Sequence, residues 1–289
     1  QNSNCVPYYA QIERDIALMQ RFNEAKHPAI IQMHEVLHSV DKHIAYIVFE
    51  WADCGSLKSF INKKYQFTDV QLATIFKQIL EGLQFVHSQG IAHEDIKPSN
   101  LLIFSDGKAK ISDFGIGHKF ESADTVIGSP AYQAPEVIDD ALSEIDFLDP
   151  SKEDVWSLGV TLFETKFHIL PYNGENFYEI AYNIRQKNPL SILNTCSENL
   201  RDLILKMLEM NPSKRISVQE LLLHPFFELA TTEPLNLPVL FPDLNLNNGM
   251  HYPEIDIENI SAIKIRDPYS FSLTDGLMGA LAIPPLIDT

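Results

Sequence analysis

The sequence predicts an α+β protein, with a small strand-bearing front part and a larger helical part behind it. Three observations carry that expectation. Two strand-like stretches, residues 30–37 and 43–49, follow a single amphipathic helix near the start. A helix opening at Thr68 then begins a region where helical periodicity dominates. Residues 155–163 are apolar nearly all round, as in a helix buried at the middle of a helical domain.

In residues 11–22, Ile12, Ile16, Met19 and Phe22 recur at helical spacing, and His27 and Pro28 lie beyond that helix. Residues 50–56 read as a linker broken at Gly55. Thr68 and Gln71 form a capping box, Leu72, Ile75, Phe76, Ile79, Leu80 and Leu83 make the buried stripe, and Gly90 suits the end. Residues 101–104 and 108–112 read as short strands turned by Asp106 and Gly107. Ser217 and Glu220 make a second capping box, whose helix stops at His224 and Pro225. After about Ala230 the composition changes to several prolines without a long helical period. Ile255, Ile257, Ile263 and Ile265 there fit one or two short strands or an extended docked segment, and equally a partly ordered tail. The expected division is 1–50, 51–228 and a tail at 229–289.

The 289 residues are 45% hydrophobic and 21% charged, a globular balance, with a net charge of -17. That charge argues against nucleic acid as a partner, because such binding neutralises phosphates with Lys and Arg. It is compatible with basic protein substrates, and equally with a surface that merely solubilises. No apolar run is long enough for a membrane span, and no signal peptide opens the chain. Cys5, Cys54 and Cys196 are far apart and odd in number, so a reducing, cytoplasmic setting is expected.

The chemistry sits in four motifs: His93-Glu-Asp-Ile-Lys-Pro-Ser-Asn100, then Asp113-Phe-Gly115, Ala134-Pro-Glu136 and Asp154-Val-Trp-Ser157. Each alone is weak, and Asp95 or Asn100 alone reads as a turn residue. Their order and separations, set on the strands and helices above, are specific. Over roughly residues 11–227 the chain resembles the eukaryotic-type protein kinases, which implies a bilobal kinase fold and ATP with Mg²⁺.

The resemblance implies that Asp95 orients the acceptor hydroxyl and takes its proton, with Lys97 leaning toward the transferring phosphate. It implies that Asn100 and Asp113 hold Mg²⁺, a hard cation that takes oxygen ligands. Phe49 would back the adenine pocket, the Glu50 carbonyl and Ala52 amide would meet the adenine edge, and Leu102 would form its floor. Lys97, with Ser129 and Pro130, points to serine or threonine as acceptor. Glu136 is expected to pair with Arg215, Asp154 to hold the catalytic-loop backbone, and His93 and Phe114 to stack with Met33 and Met19. In the runs Leu83-Gln-Phe-Val-His-Ser-Gln-Gly-Ile91, Lys97-Pro-Ser-Asn-Leu-Leu102 and Ile111-Ser-Asp-Phe-Gly-Ile116 the chain is, within the kinases, most similar to those that activate AMP-activated protein kinase. These are the calcium/calmodulin-dependent kinase kinases, the liver tumour-suppressor kinase and their fungal relatives. That group implies protein substrates, another kinase's activation loop among them. No basic amphipathic segment follows Phe227, so calmodulin binding is unsupported.

Three departures qualify the resemblance. No Gly-x-Gly-x-x-Gly loop or Val-Ala-Ile-Lys strand precedes the first helix, and Lys26 and Lys42 follow it. The small β lobe is therefore expected to be incomplete, with unpaired sheet edges, and the chain to be a fragment or a numbering that omits earlier residues. Asp15 stands where a Glu pairs with the missing Lys, and Glu94 replaces the Arg that meets an activation-loop phosphate. These departures favour the alternative, a pseudokinase acting as scaffold or allosteric module. The intact Asp95, Lys97, Asn100 and Asp113 favour the enzyme.

Overall fold

The computed structural model describes residues 8–39, 45–114, 130–138, 149–175, 177–186, 191–240, 260–263 and 280–282. Helix α1 (Tyr8–Ala25) starts three residues earlier than expected and runs beyond Phe22. Strands β1 (Met33–Ser39) and β2 (Ala45–Phe49) follow as an antiparallel pair, with Val36 opposite Ile47 and Leu37 opposite Tyr46. Strand β1 begins three residues after the expected start because the Ile31 N–H donates to the Ile111 carbonyl and the Ala29 carbonyl accepts from the Ile111 N–H, tying this sheet region to residues 101–111. Met19 and Phe22 from α1 are buried in one core with Val36 and Ile47.

The larger part is built on helices α2 (Leu57–Asn62), α3 (Asp69–Ser88), α4 (Pro135–Ile138), α5 (Pro150–Phe167), α6 (Phe177–Arg185), α7 (Glu198–Met207) and α8 (Val218–Leu222). Both capping boxes form: Thr68 Oγ1 accepts from the Gln71 N–H, and Ser217 Oγ accepts from the Glu220 N–H. Helix α3 buries the expected stripe and passes into Gly90, whose φ of 73° suits a residue without a side chain. Helix α5 is buried on every side from Asp154 to Thr165, so it is the axis of the helical part. Strands β3 (Leu101–Ile103) and β4 (Ala109–Ile111) close the hairpin at Asp106 and Gly107, each shorter than expected.

Two tail strands complete the small sheet. Strand β5 (Ile260–Ile263) lies antiparallel on the open edge of β1, and β6 (Ala280–Ala282) on the open edge of β2, giving the order β5-β1-β2-β6. The expectation that a partial sheet leaves its edges unpaired is overturned. Unmet N–H and C=O groups on both edges are supplied by the chain's own tail. Of the tail isoleucines, Ile263 falls in β5, and Ile255, Ile257 and Ile265 lie outside the described residues. No helix among the described residues is long and apolar enough to cross a membrane.

Candidate active site

The catalytic-loop run hangs from the buried axis. The Asp154 carboxylate, fully buried on α5, accepts the His93 N–H at 2.9 Å and the Glu94 N–H at 2.8 Å. Two amides that point away from any helix or sheet thus gain a charged acceptor, a stronger bond than a neutral one. Glu94 itself adopts a left-handed backbone, φ 62°, and its side chain is exposed. That conformation costs a residue with a β-carbon about 1 kcal/mol or more, which the paired amides offset.

From this anchor Asp95, Lys97 and Asn100 converge. Lys97 Nζ lies 2.7 Å from Asp95 Oδ2, and the Asn100 amide donates to the same oxygen at 2.7 Å and to the Asp95 carbonyl at 3.0 Å. The 3-10 turn Pro98–Asn100 makes this possible, since it folds the chain back so that residues five apart meet. Ser112 then pins the neighbouring segment: its N–H and its hydroxyl both donate to the Asn100 carbonyl, at 2.9 and 3.1 Å. Asp113 follows directly with φ 64°, a turn that separates its direction from that of buried Phe114. The residue before Asp113 is thereby tied to Asn100.

His93 is packed. Its Nε2 donates to the Ser112 carbonyl at 2.9 Å, and its ring sits 4.9 Å from that of Phe114. Phe114 also meets the Phe22 ring, at 5.0 Å between centroids, and Met19 and Met33 are buried in the same core. Phe22 was legible only as a helix-stripe residue. Glu136 and Arg215 form the expected pair through two parallel bonds of 2.7 and 2.9 Å, with both side chains buried.

At the linker, β3 alternates: Leu101 and Ile103 face the core and Leu102 turns partly outward. Phe49 and Glu50 are half-buried and Ala52 is buried. The Glu50 N–H is bonded to the Gln32 carbonyl, whereas among the described residues the Glu50 carbonyl and the Ala52 N–H take no backbone partner.

The protein kinase domain pattern matches residues 2–227. The chain belongs to the protein kinase family. Among relatives of this kinase domain, the serine/threonine-protein kinase stk11 of Xenopus laevis is 38% identical over 226 residues, covering 75% of this chain and 50% of that protein. The human STK11 protein is 36% identical over 242 residues, 81% of this chain and 53% of that one. The CBL-interacting protein kinase 15 of Oryza sativa subsp. japonica is 36% identical over 217 residues, 73% of this chain and 48% of that protein. The chain spans about half the length of these curated relatives. The STK11 proteins are the liver tumour-suppressor kinases, so the expected resemblance holds at the level of the group. ATP is the phosphoryl donor the kinase family implies.

Several residues of this kinase site were not legible beforehand. Lys110, almost fully buried on β4, reaches the Glu50 carboxylate at 2.5 Å and lies over the Phe104 ring, so it braces the linker from below. Glu164 on α5 takes Lys58 at 2.7 Å and the Tyr132 hydroxyl, and Ser157 donates to the Tyr132 carbonyl at 2.8 Å. Burial, then the Glu164 contact, raises the Tyr132 phenol well above its ordinary value. Glu153 is pushed up to about 7, first by burial and then by the charges of Glu136, Glu94 and Asp154, with Arg215 opposing. No single spacing in the chain announces these pairs. The side chain of Asp15, and the whole of Gly115, His118, Lys119, Thr125, Gly128 and Ser129, lie outside the described residues.

Proposed function

We propose that the chain is the catalytic part of a serine/threonine protein kinase that moves the γ-phosphoryl group of ATP to a Ser or Thr hydroxyl of a protein. The observation that carries this reading is the convergence of Lys97 and Asn100 on one oxygen of Asp95. A carboxylate so held is fixed in its orientation toward an incoming hydroxyl. Asp95 positions that hydroxyl and accepts its proton as the bond to phosphorus forms; Lys97 meets charge on the transferring group. A scaffold has no need of this arrangement, so the pseudokinase alternative finds no support.

Asn100 and Asp113 fit Mg²⁺. They offer one amide oxygen and one carboxylate, and Mg²⁺ commonly takes one or two carboxylates with substrate phosphates and water. Among the described residues no group of three or more His, Cys, Asp and Glu could hold a metal ion by itself, which suits an ion that arrives with its nucleotide. When bound, the ion offsets phosphate charge. The open Glu50 carbonyl and Ala52 N–H suit the adenine edge, with Phe49 behind it and Leu102 beneath it. On this reading residues 1–50 belong to the small lobe, 51–228 form the large lobe and 229–289 the tail. An upstream signalling role, with another kinase's activation loop as substrate, rests on the likeness to the STK11 proteins alone.

The test uses the full-length protein. Asp95→Asn is expected to cut phosphate incorporation into a protein substrate by about two to four orders of magnitude, with nucleotide affinity nearly unchanged. Asp113→Ala is expected to abolish Mg²⁺-dependent nucleotide binding. Undiminished turnover in Asp95→Asn would remove the assignment.

A further inference from the structure

A buried carboxylate beside the catalytic cluster is already claimed by a cation of the chain itself. The Glu164 side chain is 6% exposed on the axial helix α5, and Lys58 Nζ lies 2.7 Å from its Oε1. Its other oxygen accepts from the Tyr132 hydroxyl. Tyr132 ends the 3-10 turn Pro130–Tyr132, which packs on α5. Burial first, then Glu164, and then the charge of Asp95 hold the proton on its phenol, so Asp95 lies within electrostatic reach of this group. Lys58 sits on α2, which packs both on α5 and on the turn Pro98–Asn100. The three side chains therefore lie at the junction of the elements that carry the catalytic residues.

The charges at this junction balance in one way. A carboxylate with little access to water needs a cation or several donors. Tyr132 supplies one neutral bond, and Lys58 supplies the charge. The Lys58 side chain is 42% exposed, so a positive group is presented at the surface where α2 meets α5. Ser56, just before α2, and Ser99, in the turn, add no charge of either sign. A net charge of -17 favours basic peptides at long range, and this local arrangement opposes that preference.

Taking the chain to be the kinase proposed above, we propose that Lys58 is a specificity-determining residue: by occupying Glu164 it closes a cation-accepting subsite beside the acceptor, so that a substrate arginine or lysine is refused there and a neutral side chain is taken. A guanidinium arriving at this place meets the Lys58 ammonium and finds Glu164 already paired. A neutral side chain instead rests along the methylene stem of Lys58.

The experiment is a peptide array phosphorylated by the full-length protein. Ser is the acceptor in a neutral degenerate background, and Arg, Lys or Leu is fixed in turn at each flanking position. The parent is compared with Lys58→Met, with Lys58→Arg, and with Lys58→Met combined with Glu164→Gln. In Lys58→Met the carboxylate is left without its cation, and preference for Arg over Leu at one flanking position is expected to rise about tenfold over the parent, the scale of a hydrogen bond to a charged group. Lys58→Arg keeps a cation on Glu164 and should keep the parent profile. The double variant removes the charge that would recruit arginine and should lose the gain. The profile is a ratio between peptides on one protein, so a merely structural role for Lys58 would lower all peptides alike and leave it unmoved. The proposal is overturned if Lys58→Met has the parent profile, if the gain persists in the double variant, or if the parent already selects Arg at that position. Phosphate entering no peptide with the parent would remove the kinase reading and the proposal together, whereas an unchanged profile removes the proposal alone.

Discussion

Glu153 sits in an environment at odds with its charge. Its carboxyl is shifted up to about 7 from 4.5, so the folded protein holds a proton there that the unfolded chain releases at lower pH. Between those two values the native state binds more protons, and stability falls as pH rises through the window. The contribution is fully present below 4.5 and lost above about 7. Glu153→Gln is expected to flatten this dependence. In urea titrations the variant should be more stable than the parent near pH 8, with the difference closing toward about pH 4.5. An equal gap at both ends would show that Glu153 ionises freely. The same scale shows what the sequence can and cannot carry. Asp95, Lys97 and Asn100 stand out because they lie within one short run, and Asp113 because it opens a second motif at the expected separation. His87 with Asp154, and Lys110 with Glu50, are 67 and 60 residues apart, and no periodicity connects such partners. They meet only once the buried axis and the hairpin are in place.

At the level of elements, the helices were legible and the short strands less so. A capping box and a stripe of apolar residues are local, so Thr68 and Ser217 mark helix starts without reference to the rest of the chain. Strands of three residues, such as β3 and β4, have their ends decided by partners. The close approach of α7 to α5 was not visible at all. It occurs at Gly159, where an added β-carbon would lie 2.8 Å from the Met207 β-carbon and 3.1 Å from a Leu208 methyl carbon. Alanine in place of glycine inside a helix gains up to about 1 kcal/mol of propensity. Here overpacking costs about 1–3 kcal/mol, because the Met207 β-carbon is fixed to its own backbone and cannot swing aside. Gly159→Ala is therefore expected to lower stability by roughly 1 kcal/mol or more, read from a thermal or urea midpoint. A stabilised variant would show that α5 and α7 can part.

At the level of the whole molecule, the acidic surroundings of the catalytic loop bear on control. Glu94 is exposed, its charge is felt at Glu153, and it offers no donor to a phosphate. An activation-segment phosphate, on Thr125 for instance, would meet repulsion where other kinases supply an arginine. Its described end, residues 130–138, is held through Glu136 with Arg215 and through Tyr132 on Ser157 and Glu164. The full-length protein is expected to keep its activity after phosphatase treatment and in Thr125→Ala, measured against the untreated parent. Loss of most activity in both would establish a phosphate switch. The tail answers to a second test at this scale. Removing residues 241–289 uncovers both edges of the β1–β2 pair, and an uncovered edge is a template for another chain. The shortened protein is expected to self-associate in sedimentation velocity at concentrations where the intact chain does not.

The sheet order β5-β1-β2-β6 also bears on the course of folding. Its outer pairings join Val36 to Ile263 and Val48 to Ala280, so each closes a loop of more than two hundred residues. Contacts so distant along the chain form slowly, because loop entropy must be given up before they return anything. The β3–β4 hairpin closes within a few residues, and α3 and α5 carry their own start signals. On a ribosome, the helical part emerges and can organise while β1 and β2 still lack their outer neighbours. For that interval the nascent small sheet has two bare sides, and it is the stage at which a chaperone would have most to protect.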